Sequence, residues 1–130
     1  MSSGSRIIKQ PGVITTSVSY GATAITIVHL TAATTHNLEI PDLGSFSLVE
    51  IDSTVNCNVT GIVVPDKTLA WEIKFFNNGV NNIIFKNNDG GSSPDNRFLN
   101  GSDITCQPQE GFIFIYRPSV TKWSCPGKNI

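Results

Sequence analysis

Apolar side chains fall on alternate residues along most of this chain, and each run stops where Pro, Gly, Asn or Asp gather. A period of two puts one set of side chains on one face, as a half-buried strand requires. Residues 24–30 (AITIVHL) and 36–40 (HNLEI) follow it, the second ending at Pro41 and Asp42. Residues 46–51 (FSLVEI) run up to Asp52 and Ser53, and residues 55–59 (VNCNV) alternate before Gly61 breaks the pattern. Residues 62–64 (IVV) extend to Pro65 and Asp66. The most regular run is 69–76 (LAWEIKFF), with Trp71, Ile73 and Phe75 on one face and Glu72 and Lys74 on the other. Asn77, Asn78 and Gly79 then predict a hairpin turn returning along 80–85, because Asn and Gly tolerate positive φ at low cost. Residues 103–106, 111–116 and 121–125 complete a set of about ten short strands, the spacing of an all-β sandwich or barrel. No window of helical length carries a 3.6-residue period.

Connections this short predict antiparallel sheets, since parallel neighbours need a crossover of a dozen or more residues. The fold class expected is therefore an all-β, antiparallel β-sandwich over residues 13–130, preceded by a short N-terminal arm over residues 1–12. In the arm, Ser2, Ser3, Gly4 and Ser5 form a flexible lead, and Pro11-Gly12 punctuates the chain before the first core strand. Between them stand Arg6, Ile7, Ile8 and Lys9, two apolar side chains flanked by cations. Two readings stand: an edge strand or frayed terminus, or an anchor that docks on another protein. One connection departs from the economy of the rest. Residues 86–100 (KNNDGGSSPDNRFLN) form a long polar loop, and loops of that length tend to be functional or disordered. Asn88, Asp89, Asp95 and Asn96 are its candidate ligand contacts.

Composition narrows the functional classes. The chain has 130 residues, enough for one domain with one core. Charged residues make up 15%, against roughly 25% in ordinary soluble domains, with Asn, Thr, Ser and Gly filling the gap. The net charge is -1 and the basic residues are scattered, so neither a nucleic-acid stripe nor a patch for anionic lipid is expected. No apolar segment has the length of a signal sequence or a membrane span, which predicts synthesis in a cytoplasm. Cys57, Cys106 and Cys125 form no CxxC or Cys/His pattern, which argues against zinc and for small buried hydrophobes, with a Cys106–Cys125 pair left open. His29 and His36 lack a Gly-x-Ser-x-Gly elbow beside them, and the acidic residues mostly mark strand ends, where turn chemistry explains them. No catalytic residue, metal or cofactor is expected.

The second half carries a resemblance. "FFNNGVNNIIFKNNDGGSSPDNRF" followed by "DITCQPQEGFIFIYRPSVTKWSC" is similar to the C-terminal β domains of tailed-phage fibre and virion decoration proteins. Asn96-Arg97-Phe98, the aromatic run 112–116 and Trp123 stand at the corresponding places. The resemblance covers about 50 residues and carries no catalytic groups. It implies a jelly-roll-like sandwich, a homotrimer, and attachment through an N-terminal segment to the major capsid protein or another virion protein. The expected role is that of a non-enzymatic structural protein of the virion, a capsid decoration or head fibre. The alternative is a fibre module that binds a host-surface glycan or receptor, with the long loop and Tyr20, Tyr116 or Trp123 supplying the site.

Overall fold

The computed structural model describes residues 6–20, 23–44 and 46–126. Eleven strands succeed one another, as the alternating pattern requires: β1 (Arg6–Gln10), β2 (Val13–Tyr20), β3 (Thr23–Leu30), β4 (Thr34–Thr35), β5 (Phe46–Ser53), β6 (Cys57–Val59), β7 (Trp71–Asn77), β8 (Ile83–Phe85), β9 (Ile104–Cys106), β10 (Gly111–Arg117) and β11 (Lys122–Ser124). A single turn of 3-10 helix, Pro94–Asn96, interrupts the long loop. The strands form two sheets, a seven-stranded one in the order β1-β2-β3-β5-β7-β10-β11 and a four-stranded one in the order β4-β6-β8-β9.

The expectation of purely antiparallel sheets is corrected here. β3 pairs with β5, β5 with β7, β4 with β6, and β6 with β8, all in parallel. The chain alternates between the sheets, so each crossover between parallel neighbours is made by a strand of the opposite sheet. The result is a coil of three windings. Ile25 sits beside Leu48 and Leu48 beside Lys74, while Thr34 sits beside Asn58 and Asn58 beside Ile84. After β8 the direction reverses, and β9, β10 and β11 close that end with antiparallel pairs. At the other end β1, β2 and β3 form an antiparallel meander.

Asn77, Asn78 and Gly79 do not make the expected hairpin, because β7 and β8 belong to different sheets. The segment instead carries the chain across the core. Asn77 is fully buried there, and its amide group donates to the carbonyls of Asn81 and Cys106 (2.9 and 3.0 Å) while its Oδ1 accepts from the Gly79 N–H. A side-chain amide that mimics backbone in this way satisfies groups that a ladder would otherwise pair.

One core lies between the sheets. Val28, Leu30, Val49, Ile51, Ile73, Phe75, Phe114 and Tyr116 enter it from the larger sheet, and Cys57, Val59, Ile83, Phe85, Ile104 and Cys106 from the smaller. Phe75, Phe85, Phe98 and Phe114 stack in tilted and edge-on pairs with centroids 4.8–5.7 Å apart, the separations at which aromatic quadrupoles attract. Trp71, Ile73 and Phe75 share the inward face as expected, with Trp71 only partly buried. Cys57, Cys106 and Cys125 are all buried, and burial pushes the Cys57 thiol above its usual pKa.

Candidate functional site

The N-terminal candidates occupy the edge of the larger sheet. Arg6, Ile7, Ile8 and Lys9 lie in β1, in register with Ser17, Thr16, Thr15 and Ile14 of β2. The side chains of these four residues, and the whole of the lead from Ser2 to Ser5, lie outside the described residues. Pro11-Gly12 is the two-residue turn of a hairpin: Gln10 pairs with Val13, and Gly12 takes a φ of +77°. Pro at the first central position and a left-handed Gly at the second is the pattern of a type II turn. Gln10 ties the strand further. Its amide donates to the carbonyls of His36 and Asn37, and its Oε1 accepts from the Glu39 N–H.

The long loop is held down along its length. The Thr60 hydroxyl lies 2.7 Å from the Ser92 hydroxyl and 2.7 Å from Nδ1 of His36, with Thr60 and Ser92 both buried. Ser92 Oγ also accepts from the Asn37 N–H. Asn37, at a φ of +46°, turns its own Oδ1 to accept from the Ser93 N–H and from the Asn96 amide. Asn tolerates that backbone conformation better than most residues. Arg97 Nε donates to the Ser92 carbonyl, and the loop returns to the core at Phe98, which is fully buried.

Against this frame the four loop candidates separate. Asp95 pairs with Lys67 at 3.1 Å, and its backbone carbonyl accepts from the Tyr116 hydroxyl. Asn96 Oδ1 accepts from the Val64 N–H, so its side chain staples the loop to the 62–64 segment. Asn88 is exposed at a φ of +45°, and Asp89 Oδ1 accepts from the Gly91 N–H in a local turn. The structure thus joins the side chains of Asp95 and Asn96 to the scaffold, while Asn88 is held through its backbone N–H, which donates to the Phe98 carbonyl at 2.7 Å, and the residue stays exposed. Tyr116 and Trp123, considered above as sugar platforms, are fully buried and packed edge-on at 5.1 Å. Burial, with the Asp95 carboxylate adding to it, pushes the Tyr116 phenol up to about 12. Tyr20's side chain lies outside the described residues.

Other polar groups offer little converging chemistry. His29 Nδ1 lies 2.8 Å from Asp52 on the outer side of the larger sheet. Asp103 accepts from Lys86 Nζ and from the Asn87 N–H, and these contacts hold its carboxyl below the usual range. A shallow groove between the 39–43 turn and the 63–65 segment has Glu39 and Asp42 on its rim over Ile40, Leu43, Val63 and Pro65. Among the described residues, no three His, Cys, Asp or Glu side chains converge as a metal site would need, and no helix is long and apolar enough to cross a membrane.

Sequence reasoning missed the scaffold roles of Asn37, Thr60, Ser92 and Asn77, because isolated polar residues carry no periodic signal. It also missed the outer face of the larger sheet, where Phe46, Phe76 and Ile113 are exposed. A signal for that face exists, since 112–116 (FIFIY) and the doublet Phe75-Phe76 are apolar on both sides of a strand.

Close packing under the loop makes one substitution informative. A Cβ on Gly61 would stand 2.6 Å from the Asn96 carbonyl and 2.6 Å from Ser92 Oγ. Gly61→Ala is therefore expected to cost about 1–3 kcal/mol through displaced backbone and to speed proteolysis within 88–97. Gly90→Ala, which meets nothing within 4 Å, serves as the control. Equal cleavage rates in the two variants would refute the docked loop.

With this geometry in view, comparison of the chain with protein-family models, curated proteins and solved structures finds no match in any of the three.

Proposed function

We propose that this chain is a non-enzymatic structural protein of a virus particle, a capsid decoration or head fibre of a tailed phage, attached through its N-terminal segment and present as a homotrimer. The observation that carries the reading is where the polar side chains are spent. Asn37, Thr60, Ser92, Asp95 and Asn96 all bond within the chain, so the longest loop stiffens the coil. A short coil capped by antiparallel strands at both ends suits a projecting, mechanically stable part. The resemblance of the stretch from Trp71 to Trp123 to fibre and decoration domains points the same way. β1 is an edge strand of the larger sheet, and a sheet edge offers backbone groups to a partner strand, which supports attachment through this segment.

Immunogold electron microscopy with an antibody against the folded chain tests this. Label is expected on particles banded by density from the source culture, with the antigen co-purifying with the major capsid protein. Antigen found solely in the soluble fraction would overturn the proposal. The exposed position of Asn88 favours a second reading, a glycan-binding module. A glycan array on the pure chain separates the two, because binding lost on Asn88→Ala and Asp89→Ala would favour the module.

A further inference from the structure

Parallel strands are ordinarily covered on both faces. In this chain the inner face of β3, β5 and β7 packs on the smaller sheet, while among the described residues no strand or helix covers the outer face. Register defines what stands there. One row across the sheet reads Ile25, Leu48, Lys74, Ile113, and the next reads Ile27, Glu50, Phe76, Gly111. A third row places Phe46 beside Glu72 and Glu72 beside Ile115. Phe46 is 78% exposed, and Phe76 and Ile113 are each 43% exposed. Strands about 4.8 Å apart and outward residues about 6.8 Å apart along each strand give a patch of several hundred Å². Apolar patches of that extent on a small protein mark an interaction site.

The charges within the patch identify the occupant. Glu50, Glu72 and Lys74 have no ion-pair or hydrogen-bond partner among the described residues. An apolar field holding both signs of unpaired charge is complementary to itself. A strongly basic or acidic partner would meet a like charge on it, whereas another copy can set its Lys74 against Glu50 or Glu72. We infer that the outer face of the seven-stranded sheet is the surface through which copies of this chain pack on one another. The inference deepens the oligomeric part of the proposed function by assigning its interface.

The test is light scattering coupled to size-exclusion chromatography over a micromolar dilution series. The wild type is expected to run as an oligomer. Phe46→Asp and Lys74→Glu, each on the outside of the fold, are expected to keep the wild-type melting temperature of the dissociated chain and to weaken association about tenfold or more. Glu50→Lys with Glu72→Lys is expected to weaken it likewise, and mixing that double variant with Lys74→Glu should restore a mixed oligomer in native mass spectrometry. If Phe46→Asp misfolds, the charge variants decide alone. An oligomer whose dissociation none of these changes affects would overturn the assigned face while leaving an oligomeric virion protein in place. A wild type that is monomeric throughout would overturn both the face and the trimer, with particle labelling still deciding the virion reading separately.

Discussion

Phe85→Ala is expected to lower the unfolding free energy by about 3–5 kcal/mol, which for a chain of this size means a melting point roughly 10–20 °C lower. Phe85 is fully buried, and its ring lies 5.5, 5.4 and 4.8 Å from those of Phe75, Phe98 and Phe114. Those partners come from β7, from the end of the long loop and from β10. Removing the ring therefore loosens the smaller sheet, the larger sheet and the loop anchor together. The transfer loss alone is about 2–3 kcal/mol, and the cavity left among three rigid rings adds to it. Ile84→Ala, one residue away on the outer side of the same strand, is the comparison and should cost clearly less. Chemical denaturation followed by circular dichroism measures both. A larger cost for Ile84→Ala than for Phe85→Ala would mean that the inner and outer faces of β8 have been exchanged.

Asn77→Ala is expected to cost about 2–4 kcal/mol, although it removes little apolar surface. The truncated side chain would leave the carbonyls of Asn81 and Cys106 and the N–H of Gly79 without their partners at the crossing between the sheets. Water cannot reach a position with no exposed surface without opening that crossing. Asn78→Ala, at an exposed neighbour, should change stability by less than about 0.5 kcal/mol. Hydrogen exchange supplies the second measure, with faster exchange in the Asn77 variant of the Gly79 amide, which donates to Asn77 Oδ1, and of the Gln109 amide, which donates to the Asn77 carbonyl. A fully stable Asn77→Ala protein would show that these bonds are dispensable.

Strand positions and faces were largely legible, because alternation in runs such as 69–76 reports burial whatever the pairing direction. Direction itself was not. A period of two is the same in parallel and antiparallel sheets, and the usual sign of a parallel pair, an intervening helix, is replaced here by a strand of the opposite sheet. β4, β6, β8 and β9 are too short to show alternation of their own. The coil leaves no repeat in the sequence either, since its rungs stack unlike residues, as in Ile25, Leu48 and Lys74. Asn77-Asn78-Gly79 misled for a local reason. Its residues suit a hairpin turn, and what decided otherwise includes a distant carbonyl, that of Cys106, which Asn77 satisfies together with the nearby one of Asn81. The long loop's length was visible and its rigidity was not, because its tethers, Asn37 and Thr60, lie far away in the chain. Arg6 to Lys9 were read both as an edge strand and as an anchor; the backbone lies in an edge strand, and the docking role is carried as a proposal.

The winding also governs how the chain reaches this state. No parallel partner can pair until a full circuit of more than twenty residues has closed, from Ile25 to Leu48 and from Leu48 to Lys74. The hairpin β1–β2 at Pro11-Gly12 and the pair β10–β11 have no such wait. Local contacts close in microseconds, while pairings between distant segments bear loop entropy before any reward. The ends should therefore order early and the circuits between them late. During that interval β3, β5 and β7 lie with open edges, along which neighbouring unfolded chains can pair.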